Sequence, residues 1–189
     1  MQKLALFKHI IAVEPSSDLA KTCAKKGLNV IEEPIENVTF IEKADVITNF
    51  ELIEHLFWPE DYISACASLL NTGGLFICTT PNIKGFDLLM LGEVSDNISG
   101  PNHLNYFNPK SFCHLLQRCG FRILETLTPG ELDGELVRKK VLSGEFSLNG
   151  QPFLEEVLIH KWNLVGNQFQ QFLRESGLSS HMWIVGQKL

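Results

Sequence analysis

Apolar positions follow two patterns along this chain: short β-branched runs bounded by turn residues, and longer stretches with an apolar side chain every three or four positions. Both occur in succession between Asp45 and Asn82. Asp45-Val46-Ile47-Thr48 reads as a buried parallel strand. Asn49-Phe50-Glu51-Leu52-Ile53-Glu54-His55 then places polar and ionisable groups where that strand should end. Pro59 opens a helix with Tyr62, Ile63, Cys66, Leu69 and Leu70 on its apolar face, and Asn71-Thr72-Gly73-Gly74 should close it. Leu75 to Thr80 is a second buried strand, stopped by Pro81. The unit predicted is a βαβ crossover. In open α/β sheets ligands sit at the carboxyl ends of the strands, which here are residues 49–55 and 79–82.

The flanking pattern extends the same architecture. Residues 1–8 read as the last turns of a helix, and His9 to Val13 as a strand ended by Glu14 and Pro15. Ser16 or Ser17 caps a helix with Leu19, Ala20, Cys23 and Ala24 inside and Gly27 at its end. Asn29-Val30-Ile31 is a third strand. Residues 83–108 are broken by Gly85, Gly92, Gly100 and Pro101 around an apolar knot, and read as a lid-like loop. Asn108-Pro109 starts a helix with Phe112, Leu115, Leu116 and Cys119 on one face, followed by a strand from Phe121 to Thr126. Residues 128–150 are polar without a clear period, Pro152 begins one long helix ending near Ser176-Gly177, and His181 to Gly186 forms a last strand. The expectation is a single domain over 1–189, with a helical insertion at 128–176 between the last two strands.

Composition narrows the partners. The 189 residues carry a net charge of -6, which argues against nucleic acid or an anionic membrane as the main partner. No apolar run approaches the ~20 residues a membrane span needs. The five cysteines form no C-x-x-C pair and lie on predicted helix faces and in a strand, so they read as small buried hydrophobes in a reduced, cytoplasmic compartment. Candidate chemistry gathers after the central strand. Glu51, Glu54 and His55 stand at i, i+3 and i+4, one face of a helical turn, where they would hold a divalent metal, supply a general base, or simply favour the helix dipole.

Four stretches in order carry a family resemblance: Ile10 to Pro15, DVITNFELIEHL at 45–56, LLNTGGLFICTTPN at 69–82, and HLNYFNPKSFCHLLQRCGF at 103–121. With them the chain resembles the class I S-adenosylmethionine-dependent methyltransferases, in particular the group that includes the ubiquinone-biosynthesis O-methyltransferases. The resemblance implies a Rossmann-like, mostly parallel α/β sheet with helices on both faces and an antiparallel last strand. It implies S-adenosylmethionine as cofactor and a small-molecule acceptor, with no metal assigned. Glu14 would take the ribose hydroxyls, Ile35 and Glu36 would flank the adenine, and Asn49 and Phe50 would line the methionine and sulfonium end. His103, and with it His55, would accept the acceptor's proton. His9, His114, His160 and His181 read as structural.

The chain departs from that family at Pro34, where relatives often carry an acid, and more deeply at its start. The family's first strand and glycine-rich cofactor loop precede the acid that Glu14 matches by about 20 positions. Only thirteen residues precede Glu14 here, and no G-x-G occurs. Removing that strand would leave its two neighbours about 10 Å apart, with unpaired backbone groups at the gap. The expectation is therefore a chain cut short at its N-terminus. Two alternatives accompany it: a non-catalytic remnant serving as an interaction module, and a fragment of a nicotinamide-dependent dehydrogenase.

Overall fold

A computed structural model describes residues 6–39, 42–98 and 101–189. Most of the helix expected over residues 1–8 lies outside the described residues, and 6–8 are not helical. Strand β1 (Ile11–Val13), helix α1 (Ser17–Lys25) and strand β2 (Asn29–Ile31) follow in the predicted order, and β1 and β2 pair in parallel. Strand β3 (Ala44–Phe50), helix α2 (Pro59–Leu69) and strand β4 (Leu70–Pro81) form the predicted crossover, with Val46 opposite Leu75 and Phe50 opposite Thr79.

Helix α3 (Phe86–Leu91), helix α4 (Pro109–Arg118) and strand β5 (Phe121–Leu127) lead to the helical insertion and then to strand β6 (His181–Lys188). The larger sheet runs β3-β4-β6-β5, and β6 is antiparallel to both its neighbours. This is an α/β fold, and within the larger sheet the last strand alone opposes the others. Among the described residues β1 pairs only with β2 and β3 only with β4, so each carries one ladder edge without a strand partner.

The core explains why the crossover is so legible. Phe76 and Cys78 of β4, Met182 and Ile184 of β6 and Phe121 of β5 project from one face of the sheet. They meet Tyr62, Ile63 and Cys66 of α2 and Phe112 and Leu116 of α4. Each of these residues is at most 7% exposed. Ile77, Trp183 and Val185, on the alternate face, are only half-buried. Asn108 accepts from the backbone N–H groups of Lys110 and Ser111, and its own N–H donates to Ser111 Oγ, a reciprocal cap that fixes where α4 begins. Burial pushes the Cys66 thiol up to about 12 and the Cys78 thiol well above its ordinary value, which suits inert packing groups.

Four local expectations change. Asn71–Gly74 does not close α2, because strand β4 begins at Leu70 and residues 71–74 form a bulge between the pairs Ala44–Leu70 and Val46–Leu75. Gly73 takes φ 81° in that bulge, which explains its glycine without a helix cap. The lid-like segment 83–108 contains α3 and a short 3-10 turn at Gly92–Val94. The polar stretch 128–150 holds helix α5 (Asp133–Leu142), with Val137 fully buried. The expected long helix is interrupted: helix α6 (Pro152–Glu155) runs into a π-helical turn at Glu156–His160, Lys161 leaves helical geometry, and helix α7 (Trp162–Glu175) resumes.

These helices build a second core of Leu91, Val137, Leu148 and Leu158. Asp133 ties it to the sheet. Its buried carboxylate accepts from Ser179 Oγ and Ser180 N, just ahead of β6, and from Gln170 Nε2 of α7. Among the described residues no helix is long and apolar enough to cross a membrane.

Candidate active site

The polar cluster begins where β3 stops. The Glu51 N–H still donates to the Thr79 carbonyl at 3.0 Å, but its φ of 50° turns the chain out of the sheet. That left-handed conformation is uncommon for a residue with a side chain. The next turn is a 3-10 helix at Ile53–His55, anchored by the fully buried Ile53. Glu51, Glu54 and His55 therefore do not share a helical face, which corrects the spacing argument. Glu51 reaches His181 at 3.4 Å, while Glu54, 1% exposed, accepts from Thr80 Oγ1 at 2.9 Å.

A second segment is strapped over this turn. The N–H groups of Leu104 and Asn105 both donate to the Glu54 carbonyl, at 2.8 and 3.0 Å, and Asn105 Nδ2 donates to the Leu56 carbonyl at 2.6 Å. The strap sets the His103 ring 4.8 Å from that of His55, edge to face, and 6.1 Å from that of Tyr106. His55 Nδ1 lies 2.7 Å from the Asn102 carbonyl, and His103 Nδ1 lies 3.0 Å from that of Asn97. A carbonyl only accepts, so each ring carries a proton on Nδ1, which leaves Nε2 as the atom able to hold a lone pair. His55 Nε2 stands 3.9 Å from Glu54 Oε1.

The donor atoms of Glu54, His55 and His103 lie within 4.8 Å of one another. One carboxylate and two imidazoles suit a divalent transition metal, but two zinc bonds of about 2.1 Å span at most about 4.2 Å. All three would have to close slightly to reach one ion.

The remaining predicted residues divide. Glu14 sits at the carboxyl end of β1, where its Oε1 accepts from Ser16 N at 2.9 Å at the start of α1. The structural role is therefore real, and the carboxylate keeps further lone pairs. Ile35 and Glu36 lie in a short 3-10 turn after β2, but Ile35 packs against the core beneath α2, while Glu36 is exposed. Asn49 is 6% exposed, and neither of its side-chain amide atoms has a hydrogen-bond partner. Phe50 is 53% exposed and stacks on Trp183 with ring centres 6.1 Å apart. An orphaned amide and an open aromatic face at a strand's carboxyl end fit a ligand that brings hydrogen bonds and a cation.

His181, read from the sequence as structural, joins this cluster. Its pairing partner is Pro81 at the end of β4, so the antiparallel last strand delivers it into the same cluster. Its hydrogen bond to Glu51 raises the imidazole above its ordinary value, against the lowering effect of burial. Burial alone would raise the Glu51 carboxyl, but hydrogen bonds from His181 and Thr79 carry it below its ordinary value. The raised imidazole stabilises the fold below its unfolded value of about 6.5, and the lowered carboxyl does so above about 4.5. The pair therefore contributes most between those values. Its contribution fades above as His181 loses its proton, and below as Glu51 gains one. Both side chains are over 40% exposed, so solvent screening holds the effect under about 1 kcal/mol. Urea unfolding across pH 5 to 8 should show that decline, and Glu51→Gln should flatten it; an identical slope in the variant would refute the coupling.

Residues 2–126 match a family profile described as a methyltransferase domain. A protein of Mycolicibacterium smegmatis bearing the name of an S-adenosylmethionine-dependent methyltransferase is 31% identical over 99 residues, which is 52% of this chain and 35% of that protein. A ubiquinone biosynthesis O-methyltransferase of Cereibacter sphaeroides is 43% identical over 53 residues, covering 27% of this chain and 22% of that protein. The matched stretch thus spans about a third or less of these relatives' lengths. Among solved structures, an S-adenosylmethionine-dependent methyltransferase of Thermotoga maritima superposes with a TM-score of 0.61 over 95% of this chain and 72% of that one, at 18% identity. That likeness establishes the fold, and the family match displaces the dehydrogenase alternative. The chain belongs to the class I S-adenosylmethionine-dependent methyltransferases.

Proposed function

We propose that this chain transfers a methyl group from S-adenosylmethionine to an oxygen or nitrogen of a small-molecule acceptor in the cytoplasm, and that it does not act on nucleic acid. The observation that carries the reading is the pair of imidazoles, His55 and His103, whose Nδ1 atoms are anchored on carbonyls beside the buried Glu54. The cofactor, when bound, supplies an electrophilic methyl on a sulfonium. Every other contribution comes from the chain. Glu14 and the unpartnered Asn49 amide would bind polar groups of the cofactor, and the open Phe50 ring would face its cation. Ile35 and Glu36 would flank its adenine, Ile35 through an apolar edge at the core margin. His103, backed by His55, takes the acceptor's proton on Nε2. Most of the acceleration then rests on holding two substrates in line.

A second reading has a specific observation behind it. The edges of β1 and β3, which carry no strand partner among the described residues, support a remnant that binds partners and not cofactor. Mass spectrometry separates the two. The purified chain is incubated with S-adenosylmethionine and a panel of phenols and primary amines. The catalytic reading predicts a singly methylated product with S-adenosylhomocysteine formed in step. Cofactor left intact with every acceptor would favour the remnant.

A further inference from the structure

Beneath α3, and outside the cluster at the strand ends, lies a cavity of about 170 Å³ whose walls include Asp87, Asn97, Leu91, Leu136, Lys139 and Lys140. A cavity of about 150 Å³ admits one six-membered ring. Its wall is built and not incidental. Asp87 is fully buried; Oδ2 accepts from Asn97 Nδ2 at 2.9 Å, the Leu88 N–H and the Ser180 side chain also bear on the carboxyl, and Oδ1 has no partner in good hydrogen-bond geometry. A buried acceptor left unmade costs roughly 1–3 kcal/mol, so such a group calls for an explanation.

The cations nearby do not supply one. Lys140 is held between Asp96 at 3.1 Å and Glu145 at 2.7 Å, two carboxylates for one ammonium, and Lys139 is exposed. The carboxylates on the wall thus outnumber its lysines; burial first, and then the negative charge of Asp133, raise the Asp87 carboxyl against the hydrogen bonds it accepts. We propose that this cavity binds a small ligand bearing an ammonium group, donating to Asp87 Oδ1, with its apolar part against Leu91 and Leu136.

Asn97 belongs to both sites. Its side chain holds Asp87, and its carbonyl anchors His103 Nδ1. A ligand seated on Asp87 is therefore one residue from the proton-accepting imidazole. Resting on the methyl-transfer reading, the ligand is the amine-bearing part of the acceptor.

The test uses ring-sized probes without cofactor. Benzylamine, benzoate and toluene are titrated into the intact chain by calorimetry. Benzylamine should bind saturably, benzoate and toluene should not, and Asp87→Asn should weaken benzylamine at least tenfold. Because Asp87 is buried, a second variant guards against misfolding: Leu136→Trp should fill the space and abolish binding. Equal binding of all three probes, no binding of benzylamine, or binding unchanged by Leu136→Trp would overturn the proposal. A chain that binds benzylamine through Asp87 yet transfers no methyl group would refute the methyl-transfer reading alone. Methyl transfer without benzylamine binding would refute only this one.

Discussion

Asp133→Ala is expected to cost on the order of 4 kcal/mol, because it strips the acceptor from Ser179 Oγ, Ser180 N and Gln170 Nε2 inside the protein. Each orphaned buried donor costs roughly 1–3 kcal/mol, and neighbours that relax together cost less than the sum. A loss of that size is a large share of the ~5–15 kcal/mol by which a domain of ordinary stability is held. The carboxylate joins three separate pieces: α5, α7 and the turn that feeds β6. Urea unfolding should show the midpoint falling with the slope unchanged. Asp133→Asn, which keeps the shape and one acceptor, should lose less. A cost below about 1 kcal/mol for the alanine variant would mean that these bonds are dispensable and that apolar packing alone docks the helical insertion.

His103→Ala should lower the rate of methyl transfer by about 10²- to 10⁴-fold, the usual worth of a positioned proton acceptor. The loss should fall on kcat while the KM for S-adenosylmethionine stays near its original value, since the imidazole is assigned to the acceptor's proton and not to the cofactor. His55→Ala should cost less. His55 and His103 meet at ring distance, but only His103 is anchored through Asn97, which also lines the cavity. A His103→Ala chain with unchanged kcat would remove the imidazole from the chemistry.

Much of the fold could be read from residue pattern because the pattern had a local cause. The β-branched run at 45–48 and the apolar spacing of α2 each answer to one period, and Asn108-Pro109 carries its own cap. What escaped had no such local signal. Helix α5 presents acids and lysines on most sides and buries little beyond Asp133, Gly134 and Val137, so no apolar stripe announces it. Asn71–Gly74 offers the same glycines to a helix cap and to a strand bulge, and only pairing with β3 decides between them.

The site divides along the same line. That polar groups would gather at the carboxyl ends of β3 and β4 was legible from the sequence. The convergence of His55 and His103 depends on Asn105 reaching back to Leu56, a contact between residues 49 apart in sequence. The surroundings of His181 were not legible, because its neighbours come from β4, placed beside β6 by sheet order and not by sequence. Ile35 shows the converse: its position after β2 was right, yet packing against the α2 core takes up part of the side chain meant for the adenine.

Titration calorimetry of S-adenosylmethionine into the 189-residue chain tests the central claim most directly. The account predicts saturable binding that Glu14→Ala and Asn49→Ala each weaken about tenfold, or roughly 1.4 kcal/mol. A titration with no saturable heat, or binding indifferent to both substitutions, would contradict it.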